Sequence, residues 1–270
     1  VTQPSPRAPG AEDFPWWLVV FGLMVAVIAV VILVNDVYGQ VFLVIAKGIG
    51  ITIGVALVAF ALATALGLAI ALAGLSGNLA LRQMARFYIE VIRGIPILVL
   101  LFYVAFVGAP ALVALYNLLA GPLIERGILD PLLVRDLSLL WRAVIALTIG
   151  YSSFIAEIFR AGIQSIDKGQ IEAAKALGLS RVQRFRLVVL PQALKVIFPP
   201  LSNDFVSMVK DSSLVSVLGV SDITQMAKVY ASGSFRFFET YSILAYVYLL
   251  LTIGLSLVLR RVERRMRATS

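Results

Sequence analysis

The chain has 270 residues, 60% of them hydrophobic and 14% charged, with a formal net charge of +8 and mean hydropathy +0.97. A soluble domain is nearer half apolar and a quarter charged, and a hydrocarbon core about 30 Å thick takes roughly 20 apolar residues per helix, so long apolar runs make this an all-α polytopic membrane protein. With no cysteine and no histidine, disulfides, thiol chemistry and the commonest general base and metal ligand are removed. An enzyme or a transition-metal site is therefore not expected, and the positive charge reads as basic cytoplasmic loops rather than a nucleic-acid surface.

The first residue is Val1 rather than Met, which reads as a trimmed or renumbered start. Residues 1–15 carry four prolines and little apolar surface and are expected to be a disordered cytoplasmic tail. The first apolar run, Trp16–Val34, is longer than a signal-peptide core, follows Glu12 and Asp13, and lacks a small-residue cleavage pattern. It is read as a membrane helix with Trp16 and Trp17 at an interface. Further runs at Ile49–Leu75, Phe87–Gly108, Leu139–Gly162, Val196–Val220 and Tyr241–Leu259 bring the expected spans to about six. Gly50, Gly54 and Gly67 in the second run are expected to allow close helix contacts. The GIGITIG run there is no phosphate loop, because it lies inside an apolar span with no strand before it.

Orientation follows from the basic residues. With the loop around 169–191 and the RRVERRMR tail in the cytoplasm, 16 of the 23 Lys and Arg residues fall on that side, and an even number of spans places both termini there.

Residues 169–191 read GQIEAAKALGLSRVQRFRLVVLP. Asp167 can cap a helix starting near Lys168. Gly178 stands where a helix would end in a left-handed residue. Ser180 with Gln183 three residues on has the spacing of a capping box, and Pro191 is expected to limit the helix that follows. The spacing predicts a short helix, a glycine turn and a second short helix, with Ile171, Ala174 and Leu177 on one side of the first. So short a helix needs a surface to lie on.

Glu172-Ala173-Ala174, three residues, Gly178, nine residues and Val188-Val189-Leu190-Pro191 resemble the EAA signature of permease subunits of ATP-binding-cassette (ABC) importers. Val188 stands for the family's isoleucine. YSSFIAEIFRAGIQSIDK at 151–168, the segment 192–218 and EVIRGIPILVLLF at 90–102 are similar to the polar amino acid branch of that family. Ile95 replaces the threonine of the family's usual RGTP, and Arg160-Ala161-Gly162 replaces RGG. The resemblance covers about 45–262 and implies a type I importer transmembrane domain there. Residues 16–44 would be an added helix and loop, 166–191 the coupling loop with its coupling helix, 109–137 an outer loop longer than the family's usual, and 263–270 a basic cytoplasmic tail.

It further implies an amino acid permease of the bacterial plasma (inner) membrane, half of a two-permease pore formed with an identical or a different second subunit. Gln170, Glu172, Ala173, Ala174, Leu177 and Gly178 would dock one of two ABC ATPase subunits, and an extracytoplasmic amino-acid-binding protein would deliver substrate. This chain would bind no cofactor. ATP and magnesium would sit on the ATPase, in keeping with the lack of a P-loop here.

A charge at the centre of a membrane helix costs about 2.5–3.5 kcal/mol on insertion scales, so polar residues inside the runs need a reason. Glu90 with Arg93, and Glu157 with Arg160, are three apart and can bridge within a helix. They are either ion pairs near the interface or, for Glu157, a receiver of the substrate's amino group, with Tyr151, Ser152 and Ser153 offering hydrogen bonds nearby. In the fifth run Asn203, Ser207 and Lys210 share one face, flanked by Asp204 and Asp211, and Pro199-Pro200 is expected to interrupt the helix entrance. That stripe either lines a pore or gate or holds helices together. Residues 109–137 are expected to form an amphipathic or re-entrant segment on the outer face, against the binding protein. The competing classes are a permease for another small polar solute, a secondary transporter, which should show internal repeats and ion-coupling carboxylates, and a non-transporting scaffold. No clear internal repeat is present, and neither of the last two explains the glycine-hinged basic loop.

Overall fold

The computed structural model describes residues 16–268, all helix and connecting turns; the expected tail at 1–15 and the last two residues of the chain lie outside the described residues. Helix α1 is Trp16–Val34, as the apolar run predicts. It ends at Asn35, whose side chain accepts from the N–H groups of Val37 and Tyr38 and so caps α2, Asp36–Ala46. This helix falls where only a loop was expected. Helix α3, Ile49–Gly74, is the second apolar run.

The third run is displaced. Asn78 caps a separate helix α4, Leu79–Gly94, through an Oδ1 2.9 Å from the Ala80 amide. The chain then breaks at Ile95, which is extended because it precedes Pro96. The membrane-length helix starts only afterwards: α5 Ile97–Tyr103, a π turn Val104–Gly108, and α6 Ala109–Glu125 form one stretch. Glu90 and Arg93 therefore belong to α4 rather than to this span, and 109–125 is helix rather than loop. Helix α7, Leu139–Gln164, capped by Ser138, matches the fourth run.

The segment 167–189 follows the predicted caps. Asp167 caps α8, Lys168–Ala176; Gly178 has φ +78; Ser180 and Gln183 form the capping box that opens α9, Arg181–Arg184. Pro191 does not end the second helix. A π turn, Phe185–Val189, leads into α10, Leu190–Asp211, which runs through Pro199 and Pro200 and closes in a 3-10 stretch, Ser212–Leu218. The wide turn makes room for the ring of Pro191, and a membrane helix can carry internal prolines where neighbours serve the freed groups. Asp222 caps α11, Ile223–Ser234, which the sequence reading did not include. The last helix, α12, Phe237–Ala268, extends through the basic tail. Six helical stretches among the described residues are long and apolar enough to cross a membrane: Trp16–Val34, Asp36–Gly74, Ile97–Glu125, Leu139–Gln164, Arg181–Leu218 and Phe237–Met266.

Two cores organise these helices. The larger joins α3, α5, α7 and α10 through residues such as Leu101, Leu147, Ile155 and Met208. On α3 its contact face is a ladder of small residues, Ala59, Ala63, Gly67 and Ala71, four apart and buried. A Cβ on Gly67 would stand 2.9 Å from both the Ser152 carbonyl and Ile155 Cγ2, so α3 and α7 approach as closely as small residues permit. Gly50 and Gly54 take no part in this; a Cβ on either would meet nothing within 4 Å. The smaller core joins α2, α11 and α12 through Val41, Ile45, Ile223 and Ile243, with Val25, Ile28 and Ile32 of α1 laid against it.

Candidate functional site: a charged cavity and a short exposed helix

Helix α4 carries Arg82, Arg86, Glu90 and Arg93 at spacings of four, four and three, hence on one face. Helix α7 carries Glu157, Arg160 and Gln164 on the facing turn. Together they line a cavity of about 350 Å³, within the size range of small-molecule sites. The two acid–base pairs of the sequence thus meet in one place. Glu157 and Arg160 form an ion pair, with Nε–Oε1 3.2 Å and Nη2–Oε2 2.5 Å, and Arg160 also donates to Gln164 Oε1 at 2.9 Å. Both are about a third exposed, at 30% and 39%, so the pair is open to a ligand. Glu90 and Arg93 do not bridge. Arg93 lies over the Phe154 ring, 5.4 Å from its centroid, a cation–π contact that holds its guanidinium at the cavity edge.

The turn of α7 above this cavity fastens the helices on either side. Tyr88 of α4 shares a 2.8 Å hydrogen bond with Ser152 Oγ and donates to the Ile149 carbonyl at 3.2 Å. Tyr151 donates to Asp211 Oδ2 at 2.7 Å. Ser153 is fully buried and donates to the Gly150 carbonyl at 2.7 Å, so its hydroxyl is committed within α7 and does not line the cavity.

The polar stripe of α10 is not part of the same cavity. Asn203 faces a second cavity of about 320 Å³ between α10 and α12, with Ser202, Ser256 and Arg260. Lys210 is exposed and Ser207 half-buried. Asp211 is engaged by Tyr151, and Asp204 keeps an enclosed Oδ2 with no hydrogen-bond partner.

Helix α8 splits its predicted stripe. Ala174 is buried and Ile171 packs on the larger core, whereas Leu177, at the end of the helix, is 81% exposed. Glu172 and Ala173 are exposed too. Beyond the Gly178 turn, Val182 is 75% and Leu187 63% exposed. The segment therefore presents apolar side chains among basic ones, Lys175, Arg181 and Arg186, instead of folding them away.

Sequence reasoning missed Arg82, Arg86 and Gln164 as cavity residues. The three-to-four spacing of charges over 82–93 carries that signal once Pro96 is taken as the start of the span. It also missed Arg142 and Gln192. Arg142 is only 8% exposed and donates to the carbonyls of Ala105 (3.0 Å), Leu137 (2.8 Å) and Val134. Gln192 Nε2 donates to Gln170 Oε1 at 2.6 Å and to the Val188 carbonyl at 2.9 Å.

Comparison with known proteins places these features in context. The family described as "Binding-protein-dependent transport system inner membrane component" matches residues 63–268. The glutamine transport system permease protein GlnP of Escherichia coli (strain K12) is 39% identical over 199 residues, 73% of this chain and 82% of that protein. The octopine transport system permease protein OccM of Rhizobium radiobacter is 36% identical over 212 residues, 78% of this chain and 81% of that one. A solved structure described as "Crystal structure of an amino acid ABC transporter with histidines" superposes with a TM-score of 0.68 at 36% identity, covering 86% of this chain and 97% of that one. An inward-facing MetNI methionine ABC transporter shares the fold, with a TM-score of 0.61 at 19% identity over 83% of this chain and 96% of that one.

Proposed function

The chain belongs to the binding-protein-dependent transport system inner membrane components, the permease subunit of an ATP-driven ABC importer for amino acids or related small polar solutes, and from that premise we propose that its substrates are amino acids and that they pass the charged cavity between α4 and α7. The observation that carries this reading is the mixed lining of that cavity. Glu90 and Glu157 offer carboxylates to an α-ammonium, and Arg82, Arg86, Arg93 and Arg160 offer guanidiniums to an α-carboxylate. A zwitterion needs both signs within a few ångströms. The names of the glutamine and octopine permeases and of the amino acid transporter structure point the same way. Asn203, Ser207 and Lys210 would line an earlier, more outward part of the path, with Asp211 positioned by Tyr151.

In this reading the permease pairs with a second permease subunit, identical or different, in the bacterial inner membrane, with both termini cytoplasmic. Two ATPase subunits carry ATP and magnesium. Each docks one permease through the exposed side of α8 and the Gly178 turn, with Gln170, Glu172, Ala173, Ala174, Leu177 and Gly178 at or beside the contact. An extracytoplasmic binding protein delivers substrate and meets the connection between α6 and α7. The chain supplies the path and the docking surface, not the hydrolysis.

The test is ATPase activity of the affinity-purified complex in lipid, with its binding protein and a panel of amino acids. Stimulation by a few amino acids, abolished by Glu157→Gln, is expected. An ATPase that co-purifies but is stimulated only by another class of small polar solute would overturn the substrate assignment. Unchanged uptake by Glu157→Gln would remove the cavity from the path.

A further inference from the structure

Helix α8 is nine residues long and cannot hold its own shape in water, so what fastens it to the membrane helices decides what its movement does. Its apolar attachments are Ala174 and Ile171, and such contacts resist separation more than sliding. The directional attachment is the amide of Gln192, two residues into α10, which donates at once to Gln170 Oε1 and to the Val188 carbonyl. Val188 lies in the π turn Phe185–Val189. In that turn the N–H of Leu190 reaches back to the Phe185 carbonyl, and the next donor is missing because residue 191 is proline. This is the place in the 181–218 helix where the ladder is widest and loses a rung. Gln192 therefore ties α8 to a wide turn of the long helix, a place where the backbone has a second, tighter arrangement open to it.

Resting on the reading of α8 as the ATPase-docking helix, we propose that Gln192 is a positioning residue for transport, a latch through which displacement of α8 at Gln170 is passed to the π turn and so to the polar stripe of α10. Gln192 does not touch substrate in this arrangement. It acts through Gln170, and either removing the amide or breaking its partner interrupts the same link.

The experiment uses the assembled complex in lipid. Since the chain has no native cysteine, Ala173→Cys gives a single site on the exposed side of α8 for crosslinking to the ATPase, and this reports on docking independently. Gln192→Ala is expected to leave the crosslink and basal ATPase rate unchanged, while stimulation by substrate-loaded binding protein falls about fivefold or more, the lower end of ordinary coupling between sites. Gln192→Glu keeps an acceptor for the Gln170 amide but has no N–H for the Val188 carbonyl, so its stimulation should stay within about twofold of that of Gln192→Ala, because the link needs both ends. In the Gln170→Ala background, Gln192→Ala should add nothing. Parental stimulation in Gln192→Ala with the crosslink intact would overturn the latch and leave the docking reading standing. Loss of the crosslink in Gln192→Ala would overturn it also, by making Gln192 a determinant of docking. No crosslink from Ala173→Cys in an otherwise parental complex would overturn the docking reading, and the latch with it.

Discussion

Among the described residues two wide turns interrupt long helices, at Val104–Gly108 and Phe185–Val189, and each ends two residues before a proline, Pro110 and Pro191. The backbone problem is the same in both. The residue before the proline sends its N–H five positions back, Ala109 to Val104 and Leu190 to Phe185, and the proline then offers no donor to the next carbonyl. The solutions differ. At the first turn the carbonyl in question, Ala105, is served by the buried guanidinium of Arg142, which also binds the carbonyls of Val134 and Leu137 and so pins the connection between α6 and α7. At the second turn the corresponding carbonyl is that of Arg186, and the side chain nearby, the neutral amide of Gln192, goes instead to the Val188 carbonyl and to an exposed partner on α8. Hydrogen bonds from a charged group contribute about 1.5–3 kcal/mol and neutral ones about 0.5–1.5 kcal/mol. One turn is built to stay as it is. The other is held by contacts weak enough to be exchanged, and it lies between α8 and the polar stripe.

The contrast is broken most directly at Arg142. Arg142→Met keeps much of the volume but strands three carbonyls, at roughly 1–3 kcal/mol for each one left buried and unpaired. A fall in Tm of about 10 °C in detergent is expected, together with faster proteolysis within 126–138. Gln192→Ala should lower Tm by less than about 3 °C despite its effect on coupling. Equal falls in Tm for the two variants would erase the difference between the turns.

A smaller change in stability is expected at Gly178. Its φ of +78 is a left-handed conformation, and a Cβ there would meet nothing within 4 Å. Gly178→Val therefore carries a backbone penalty alone, about 1–2 kcal/mol, which falls on the turn and not on the membrane core. The variant should reach the membrane in normal amounts and lose ATP-dependent uptake, because the exposed Leu177 and Val182 on either side of the turn no longer present one surface. Normal uptake would refute the role of this turn in docking. Gly162→Val makes the control: a Cβ there would collide with Ile197, so that variant should fail in folding, with its membrane level reduced.

What the sequence made legible was local. The caps at Asp167 and Ser180, the left-handed Gly178 and the ends of α1, α3 and α7 each depend on residues within one turn of one another, and each was readable from spacing. The prolines were read by the same local rule and misled it. Pro191 and Pro199-Pro200 were expected to stop or interrupt helices, yet α10 runs through the pair, and the π turn before Pro191 absorbs what would have been a break. Among the described residues, only at Ile95-Pro96, where the residue before the proline is extended, does a proline end a helix, and there the apolar run at Phe87–Gly108 concealed it. The cavity was half legible. The spacing of Glu157 and Arg160 foretold their ion pair, but that Glu90 and Arg93 face the same space from another helix is a tertiary fact. So is the burial of Ser153, whose hydroxyl turned back to its own helix. Arg142 and Gln192 could not be singled out, because their partners are backbone carbonyls and an amide brought near by the fold, and nothing in the sequence marks a carbonyl as lacking its donor.

The smallest expected effect is the sharpest test of the comparison. Replacing either proline with alanine restores an N–H and lets a wide turn tighten into ordinary α-helix, which lengthens the stretch by about one residue's rise, 1.5 Å. At the first turn Arg142 requires the Ala105 carbonyl to stay turned outward, so Pro110→Ala should leave the turn wide. At the second, Gln192 holds the Val188 carbonyl and not those of Arg186 and Leu187, which a restored N–H at 191 would reach, so Pro191→Ala should let it close. Spin labels at 99 and 118 span the first turn and labels at 182 and 196 the second, all at exposed positions and unambiguous in a chain without cysteine. Pulsed electron resonance should show an unchanged distance for Pro110→Ala and a longer one, by about 1.5 Å, for Pro191→Ala. If both distances lengthen, the guanidinium does not hold its turn, and the two sites differ in partner without differing in stiffness. If neither changes, packing around the helices keeps both turns open, and the second is then no easier to re-form than the first.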